Sequence, residues 1–399
     1  MSIKIIHILH HSPYWTSTNL EDDIFDGWHV RTAKAIQKLK INNCQIECWL
    51  PEKTYKKTLR IERDGLVYRI FPSEALSYTR EFSSPMIEAI KQEKSTPILL
   101  HLHGIFNYLT YLITWKFGHL PIVVQHHGDC PPIMLLKLRP LLYSILPLLQ
   151  LEQFLFCRSL KKIDHFFCLT KQIQLSLNRL GIKNKISLQS MGVEFDLFPE
   201  IERISARQKL NLPINSHIIL YVGKLNTLKG GDKLIAVFKR LKQKYDITCV
   251  VVGASQSDEF FQLAQKNGII IFPRQPHNSL NLFYHAADVY LYPCDKNIKF
   301  WSGIGISTLE AIACNCPVVS PTLIHFPNDY HRIGFFAENI NEMVDAIEYV
   351  FLHPEQYHGI RKYALAYYDW SKIADNTYYI YQKLFKKYYN ITLTKANDQ

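Results

Sequence analysis

The sequence predicts an α/β protein made of two doubly wound, Rossmann-like domains, each with a parallel sheet covered on both faces. Short runs rich in Val, Ile, Leu and Phe alternate with helical patterns almost throughout, the signature of strands joined by crossover helices. The alternation breaks between Glu194 and Leu212, where Pro199, a charged stretch and Pro213 interrupt it, and it restarts at Ile218. At 399 residues the chain is too long for one ordinary core and suits two domains of roughly 150–200 residues. The expected division is 1–200, 201–390 and a frayed tail over 391–399.

In the first domain the strand candidates are Ile3–Leu9, Gln45–Leu50, Val67–Phe71, Ile98–His103, Ile122–His126, Phe166–Leu169 and Ile186–Gln189. Val30–Leu39 and Lys171–Leu180 carry the helical period between them. The second domain opens with the strand Ile218–Val222 and the helix Leu234–Leu241. Strands Cys249–Val252 and Ile269–Phe272 follow, then the helix Leu280–Ala286 and the strand Val289–Tyr292. Met343–Leu352 and Lys372–Lys387 read as closing helices.

A formal charge of +11 suits nucleic acid, an anionic membrane surface or a phosphorylated small molecule. Lysines and arginines are dispersed and no basic-aromatic module stands out, so nucleic acid is not an expected partner. The nine cysteines are expected as reduced core residues, because Cys44-x3-Cys48 and Cys314-x-Cys316 lack the paired spacing of a zinc or redox site. His10-His11 and His126-His127 are sequence neighbours whose side chains leave opposite faces of a strand, so neither pair chelates one ion and no metal is expected. The N-terminus reads as a first strand, and no uncharged apolar run reaches the roughly 20 residues of a spanning helix, so a cytoplasmic protein is expected. The leucine-rich segment 133–158, broken by Pro140 and Pro147, reads either as helices lining an acceptor cleft or as a patch dipping into a membrane's inner face.

Two strand-to-helix junctions carry the chemistry. In Tyr221-Val-Gly-Lys-Leu-Asn-Thr-Leu-Lys-Gly-Gly-Asp232, Gly223 permits a tight turn and Lys224 and Lys229 place two cations in one loop. Gly230 and Gly231 then open a helix whose free amides attract anions, which is how a diphosphate is held. Many α/β surfaces carry such a loop, so it is weak by itself. The second junction follows Val289-Tyr-Leu-Tyr-Pro293, where Gly303, Ile304 and Gly305 allow close approach to the backbone before a helix starting near Ile306. Glu310 lies in that helix, either as a carboxylate accepting two ribose hydroxyls or as an ordinary acid balancing the helix dipole.

Together these junctions resemble the retaining glycosyltransferase family 4, whose fold is GT-B. The family's Gly-Arg-Leu-x4-Lys-Gly loop is matched by Gly223-Lys224-Leu225 to Lys229-Gly230, with lysine for arginine. Its Glu-x7-Glu hallmark is matched from Ser302-Gly303-Ile304-Gly305 to Glu310-Ala311-Ile312-Ala313, followed by Pro317-Val318-Val319. Met191-Gly192-Val193-Glu194 and Tyr284-His-Ala-Ala-Asp-Val289 are similar to two further family patterns, in the right order. The resemblance implies two facing domains, an N-terminal one for the acceptor and a C-terminal one for a nucleoside-diphosphate-sugar donor, with no cofactor or metal. Lys224 and Lys229 would stabilise the departing diphosphate, Glu310 would bind ribose, and Gly303 and Gly305 would frame the distal phosphate and sugar. In the first domain His127, with His126 as runner-up, matches a family histidine near the reacting centre, although a hydrogen-bonded histidine at a strand end is an equal reading. Gly27 stands at the family's N-terminal glycine loop.

Two departures matter. Ser302 replaces the first glutamate, so it offers a hydroxyl but no negative charge near a developing oxocarbenium ion. Lys224 replaces arginine's fork with a point charge. The expected reaction is transfer of a sugar to a hydroxyl of a sugar, lipid-linked or other acceptor with retention, in polysaccharide, glycolipid or other glycoconjugate synthesis. A catalytically silent sugar-nucleotide-binding subunit and a non-hydrolysing epimerase are the alternatives.

Overall fold

The structure is a computed structural model describing residues 2–12, 24–75, 77, 79–129, 146–183, 185–295, 303–325 and 330–396. Its contacts divide the chain into two compact units, Met1–Gln189 with Ile373–Gln399, and Ser190–Lys372.

The strands of the first unit are β1 (Ile3–Leu9), β2 (Cys44–Glu52), β3 (Leu59–Arg63), β4 (Leu66–Pro72), β5 (Glu74–Ala75), β6 (Glu81–Phe82), β7 (Ile98–His103), β8 (Ile122–Gln125), β9 (His165–Cys168) and β10 (Ile186–Leu188). Eight form one sheet in the order β10-β9-β8-β7-β1-β2-β4-β3, while β5 and β6 make a separate ribbon. Every pair in the large sheet is parallel except β3 with β4. Covered on both faces, β7 is buried at all six positions, and its Ile-Leu-Leu start made the strand visible in the sequence. β3 was not visible: it is a charged edge strand, exposed at all but its central residue, with Arg60 and Glu62 paired at 2.7 Å. Side-chain caps start the covering helices where their sequences allow. Asn107 accepts from the Thr110 amide at the head of Tyr108–Phe117, and Thr170 from Ile173 at the head of Lys171–Arg179.

The second unit has β11 (His217–Val222), β12 (Ile247–Val252), β13 (Ile270–Phe272), β14 (Val289–Leu291), β15 (Val318–Val319) and β16 (Gly334–Phe335). All are parallel, in the order β13-β12-β11-β14-β15-β16. Counted within the unit this is 3-2-1-4-5-6, the doubly wound order, and it reverses between β11 and β14. In the first unit the winding reverses between β1 and β7. Ligands of such sheets enter outside the carboxyl ends of the strands at the reversal.

The unit boundaries differ from the expected 1–200 and 201–390. Residues after 189 pack into the second unit, where Met191, Val193, Phe195 and Phe198 are buried and the Val193 amide donates to Tyr368 O at 2.8 Å. The helix Trp370–Tyr389 carries the chain back to the first unit: Gln189 Nε2 donates to Thr377 Oγ1 at 3.1 Å, and Tyr389 Oη donates to Ile98 O at 2.9 Å. The expected frayed tail is anchored as far as residue 396, with Leu393 buried and the Ala396 amide donating to Lys40 O at 2.9 Å. Of the segment 133–158, residues 133–145 lie outside the described residues, and the rest belongs to the helix Leu146–Leu160. No helix among the described residues is long and apolar enough to cross a membrane.

One ion pair ties the start of the second unit to its sheet. Buried Arg207 donates to Asp288 at 2.7 Å and to the carbonyls of Ala286 and Ser216, while Asp288 also accepts from the Ile218 amide at 2.7 Å. Removing one partner strands the other as a buried charge, so Asp288→Ala should cost about 3–5 kcal/mol, measured by urea unfolding followed in this unit.

Candidate functional site

Both sequence-predicted junctions leave the second sheet where its winding reverses. β11 ends at Val222, and Gly223 continues with φ +144°, its amide donating to Val252 O at 2.9 Å. The loop beyond is held from several sides. The Leu225 amide donates to Asp258 at 2.9 Å, Thr227 Oγ1 to Glu259 at 2.9 Å, and Tyr221 Oη to Lys224 O at 2.8 Å. Lys224 is exposed, and Lys229 is half-buried with its ammonium donating to Tyr292 Oη at 3.0 Å. Burial pushes the Tyr292 phenol upward, with Lys229 acting in the opposite direction, and it stays an uncharged hydroxyl at neutral pH.

The second junction comes to the same place. Gly230, with φ +78°, caps the helix Gly231–Leu241 and lies so close to the end of β14 that a Cβ there would sit 2.0 Å from Pro293 O. The Asp295 amide adds a hydrogen bond to Leu228 O at 3.0 Å. Gly305 precedes the helix Ile306–Ala313, and a Cβ on it would lie 3.7 Å from the Tyr292 ring. Tyr292 therefore stands between Lys229 and a second helix start. Two helix N-termini and the Lys229 ammonium thus gather around Tyr292, an arrangement suited to a diphosphate. Ser302 lies outside the described residues; Gly303 and Ile304 are buried beside it, Gly303 with φ +61°.

Glu310 is not an exposed acid of the first turn. It is the fifth residue of its helix, buried, with Oε1 accepting from His277 Nε2 at 2.6 Å and Oε2 from Tyr284 Oη at 2.7 Å. A carboxylate has about four lone-pair sites, so each oxygen retains acceptor capacity for a further hydroxyl. Sequence reasoning missed both of these partners. Tyr284 opened a quoted motif but carried no assigned role, and His277, 33 residues from Glu310, follows β13 with no spacing that would reveal it.

In the first unit Gly27 caps the helix Trp28–Gln37, its carbonyl accepting from Val30 at 2.9 Å and Arg31 at 3.1 Å. His126 is fully buried and its Nε2 donates to Asp129 O at 2.7 Å, whereas His127 is half-buried and bonded through Nε2 to His103 Nδ1 at 2.9 Å. The histidines that gather are not the adjacent pairs. His7 and His101 face each other across the β1–β7 register and His103 follows on the same face, with a potential ligand atom from each lying within 4.8 Å of the others.

With this geometry in place, comparison with known proteins locates the chain. Residues 202–366 match the family model of glycosyl transferases group 1. That stretch lies inside the second unit and contains both junctions. The D-inositol 3-phosphate glycosyltransferase of Mycobacterium leprae (strain Br4923) is 26% identical over 178 residues, 41% of this chain and 40% of that protein. The enzyme of the same name from Mycolicibacterium smegmatis is 27% identical over 184 residues, 41% of each chain. The match thus spans about two fifths of these curated relatives. Solved structures align over nearly the whole chain. Sucrose-phosphate synthase from Thermosynechococcus elongatus has a TM-score of 0.72 at 17% identity, covering 96% of this chain and 100% of its own. Anabaena HepE in complex with UDP has a TM-score of 0.68 at 14% identity, covering 96% and 100%. The fold is GT-B, as predicted, with two Rossmann-like units.

Two outcomes test this description. Gly230→Ala would drive a methyl into a backbone carbonyl at a left-handed position, so the variant should lose at least about 2 kcal/mol in thermal unfolding. The second concerns acid. Burial pushes His29 and His101 down to about 3, and burial followed by neighbouring His10 pushes His11 down to about 2. The unfolded chain therefore binds more protons than the folded one between about 3 and 6.5, and stability falls as pH drops below 6.5. Each should lose about 1 kcal/mol between pH 6.5 and 5.5, roughly 3 kcal/mol for the three together, readable as a drop in urea midpoint.

Proposed function

We propose that this protein is a glycosyltransferase that moves a sugar from a nucleoside diphosphate to an acceptor hydroxyl with retention, holding the donor in its second unit. The observation that carries the reading is the convergence of Lys229 and two glycine-led helix starts at the winding reversal, with Lys224 exposed in the same loop and Glu310 held by His277 and Tyr284. Lys229 and the helix amides balance the charge that builds on the leaving diphosphate, which is electrostatic help and needs no protein nucleophile. Glu310 accepts the ribose hydroxyls on its remaining lone pairs. The HepE structures hold UDP, and in one case UDP-glucose, and the family match covers the stretch that carries these residues here. Gly223, Gly303, Ile304 and Gly305 let the ligand approach the backbone, and Ser302 offers a hydroxyl to the sugar. His127 and Gly27 of the first unit belong to the proposal by their resemblance to the family's motifs.

Ser302 favours a second reading, a sugar-nucleotide-binding subunit without turnover, since the carboxylate expected near the sugar is missing. The two readings share donor binding and part at donor consumption. Thermal unfolding against a panel of nucleoside diphosphates and their sugars tests the shared step. One base should stabilise the second unit by roughly 2.7 kcal/mol at a hundred times its dissociation constant, and Glu310→Ala and the Lys224→Ala, Lys229→Ala pair should each abolish the shift. No shift with any nucleotide removes both readings, and stabilisation without sugar transfer leaves the silent subunit.

A further inference from the structure

Tyr221, Tyr284, Tyr290 and Tyr292 are buried around the two junctions of the second unit. The first three place their hydroxyl protons on named acceptors: Tyr221 Oη donates to Lys224 O at 2.8 Å, Tyr284 Oη to Glu310 Oε2 at 2.7 Å, and Tyr290 Oη to Ser307 Oγ at 2.7 Å. Tyr292, the residue after β14, differs. It is 4% exposed, and its only hydrogen bond among the described residues is the one that its Oη accepts from Lys229 Nζ at 3.0 Å. An ammonium has three N–H groups and no lone pair, so Lys229 cannot accept the phenol's proton in return. The Tyr292 O–H is therefore a donor without an acceptor among the described residues, and leaving such a group unbonded costs its desolvation in full.

The surroundings define the missing acceptor. Lys229 pairs with no carboxylate among the described residues, and its ammonium lies 5.5 Å from the Tyr292 ring centroid. On the other side of that ring, a Cβ on Gly305 would lie 3.7 Å away, at the head of the helix Ile306–Ala313. The helix Gly231–Leu241 starts just beyond Lys229. An O–H, an ammonium and two helix N-termini are all donors or positive ends, and together they suit an anion with several oxygens. Burial pushes the phenol upward, so at neutral pH it keeps the proton it would donate.

We propose that Tyr292 is a donor-binding residue, its O–H donating to the distal phosphate of a nucleoside diphosphate while Lys229 stays bonded to its Oη. The assignment rests on the glycosyltransferase reading, which places ribose at Glu310. Glu310 lies about one turn into the helix that Gly305 heads, so a nucleotide with its ribose there brings its later phosphate to the Tyr292 ring. The bond from Lys229 draws charge from the phenol oxygen and makes its O–H the stronger donor, so the two groups act as a unit. The rival role is indirect, with Tyr292 doing no more than orient the Lys229 ammonium.

The test is calorimetric titration of the full chain with UDP, ADP, GDP and CDP and with the matching monophosphates. Tyr292→Phe removes one oxygen and keeps the ring, and without ligand it should melt as the wild type does. It should weaken the diphosphate that wild type binds by about tenfold, and the matching monophosphate by less than about twofold. In a Lys229→Met background the same change should still cost about threefold, the shortfall measuring the coupling. Unchanged diphosphate affinity in Tyr292→Phe, an equal loss with the monophosphate, or no loss in the Lys229→Met background would overturn the proposal. Where Lys229→Met binds too weakly to compare, or Tyr292→Phe does not fold, 3-fluorotyrosine in place of Tyr292 decides. Its more acidic phenol donates better and accepts worse, so tighter diphosphate binding supports the bond to phosphate and weaker binding leaves only the indirect role. A wild type that binds none of the nucleotides sinks the glycosyltransferase reading, whereas binding that ignores Tyr292 sinks this assignment alone.

Discussion

In the second unit the chain winds outward from β11 in both directions, through β12 and β13 on one side and β14, β15 and β16 on the other. The loops that follow β11 and β14 therefore leave neighbouring strand ends toward opposite faces, and a crevice opens between them. What holds the two loops together is the close approach of Gly230 to the carbonyl of Pro293. Any side chain at that position would push the Lys229 loop away from Tyr292, and the two helix starts would no longer meet beside its ring. The phosphate site proposed here is thus a consequence of strand order and one backbone-to-backbone approach, before any charged side chain is considered.

Both units bury carboxylates that are held by donors, and the first unit adds a cluster of buried histidines. Glu310 is buried with a donor on each oxygen, so its orientation is set before a ligand arrives. Such fixed groups need no reorganisation during reaction. The first unit holds buried Glu52 and Glu81 in the same way and also buries a cluster of neutral histidines, linked to one another and, through His101 Nδ1, to the Tyr381 hydroxyl of the returning helix. Proton placement there is a collective property: each ring's tautomer depends on its neighbours. The cost is acid sensitivity, since unfolding frees these groups to protonate.

Much of this was legible in the sequence because it rests on local chemistry. Strands buried on both faces read as near-continuous apolar runs, as in β12, and glycines at the end of such a run mark a strand-to-helix junction. What escaped lacked a local signal. β3 alternates charges at a sheet edge and resembles a loop. His277 has no fixed spacing from Glu310, because a bond across a fold is set by where two loops end. The histidines that align were masked by the conspicuous pairs His10-His11 and His126-His127, whereas His7, His103 and His127 come from three different strands or their ends.

Residue order alone therefore settled the class of fold, the restart after residue 212, the two junctions and the residues that build them, since each follows from periodicity, backbone freedom or charge within a dozen neighbours. Folding added the partners. It brought Gly230 against Pro293, set His277 and Tyr284 on Glu310, returned the last helix to the first unit and joined three imidazoles in line. Each of these is a contact between segments distant in the chain, and such contacts depend on strand order and register, which no short stretch of sequence encodes.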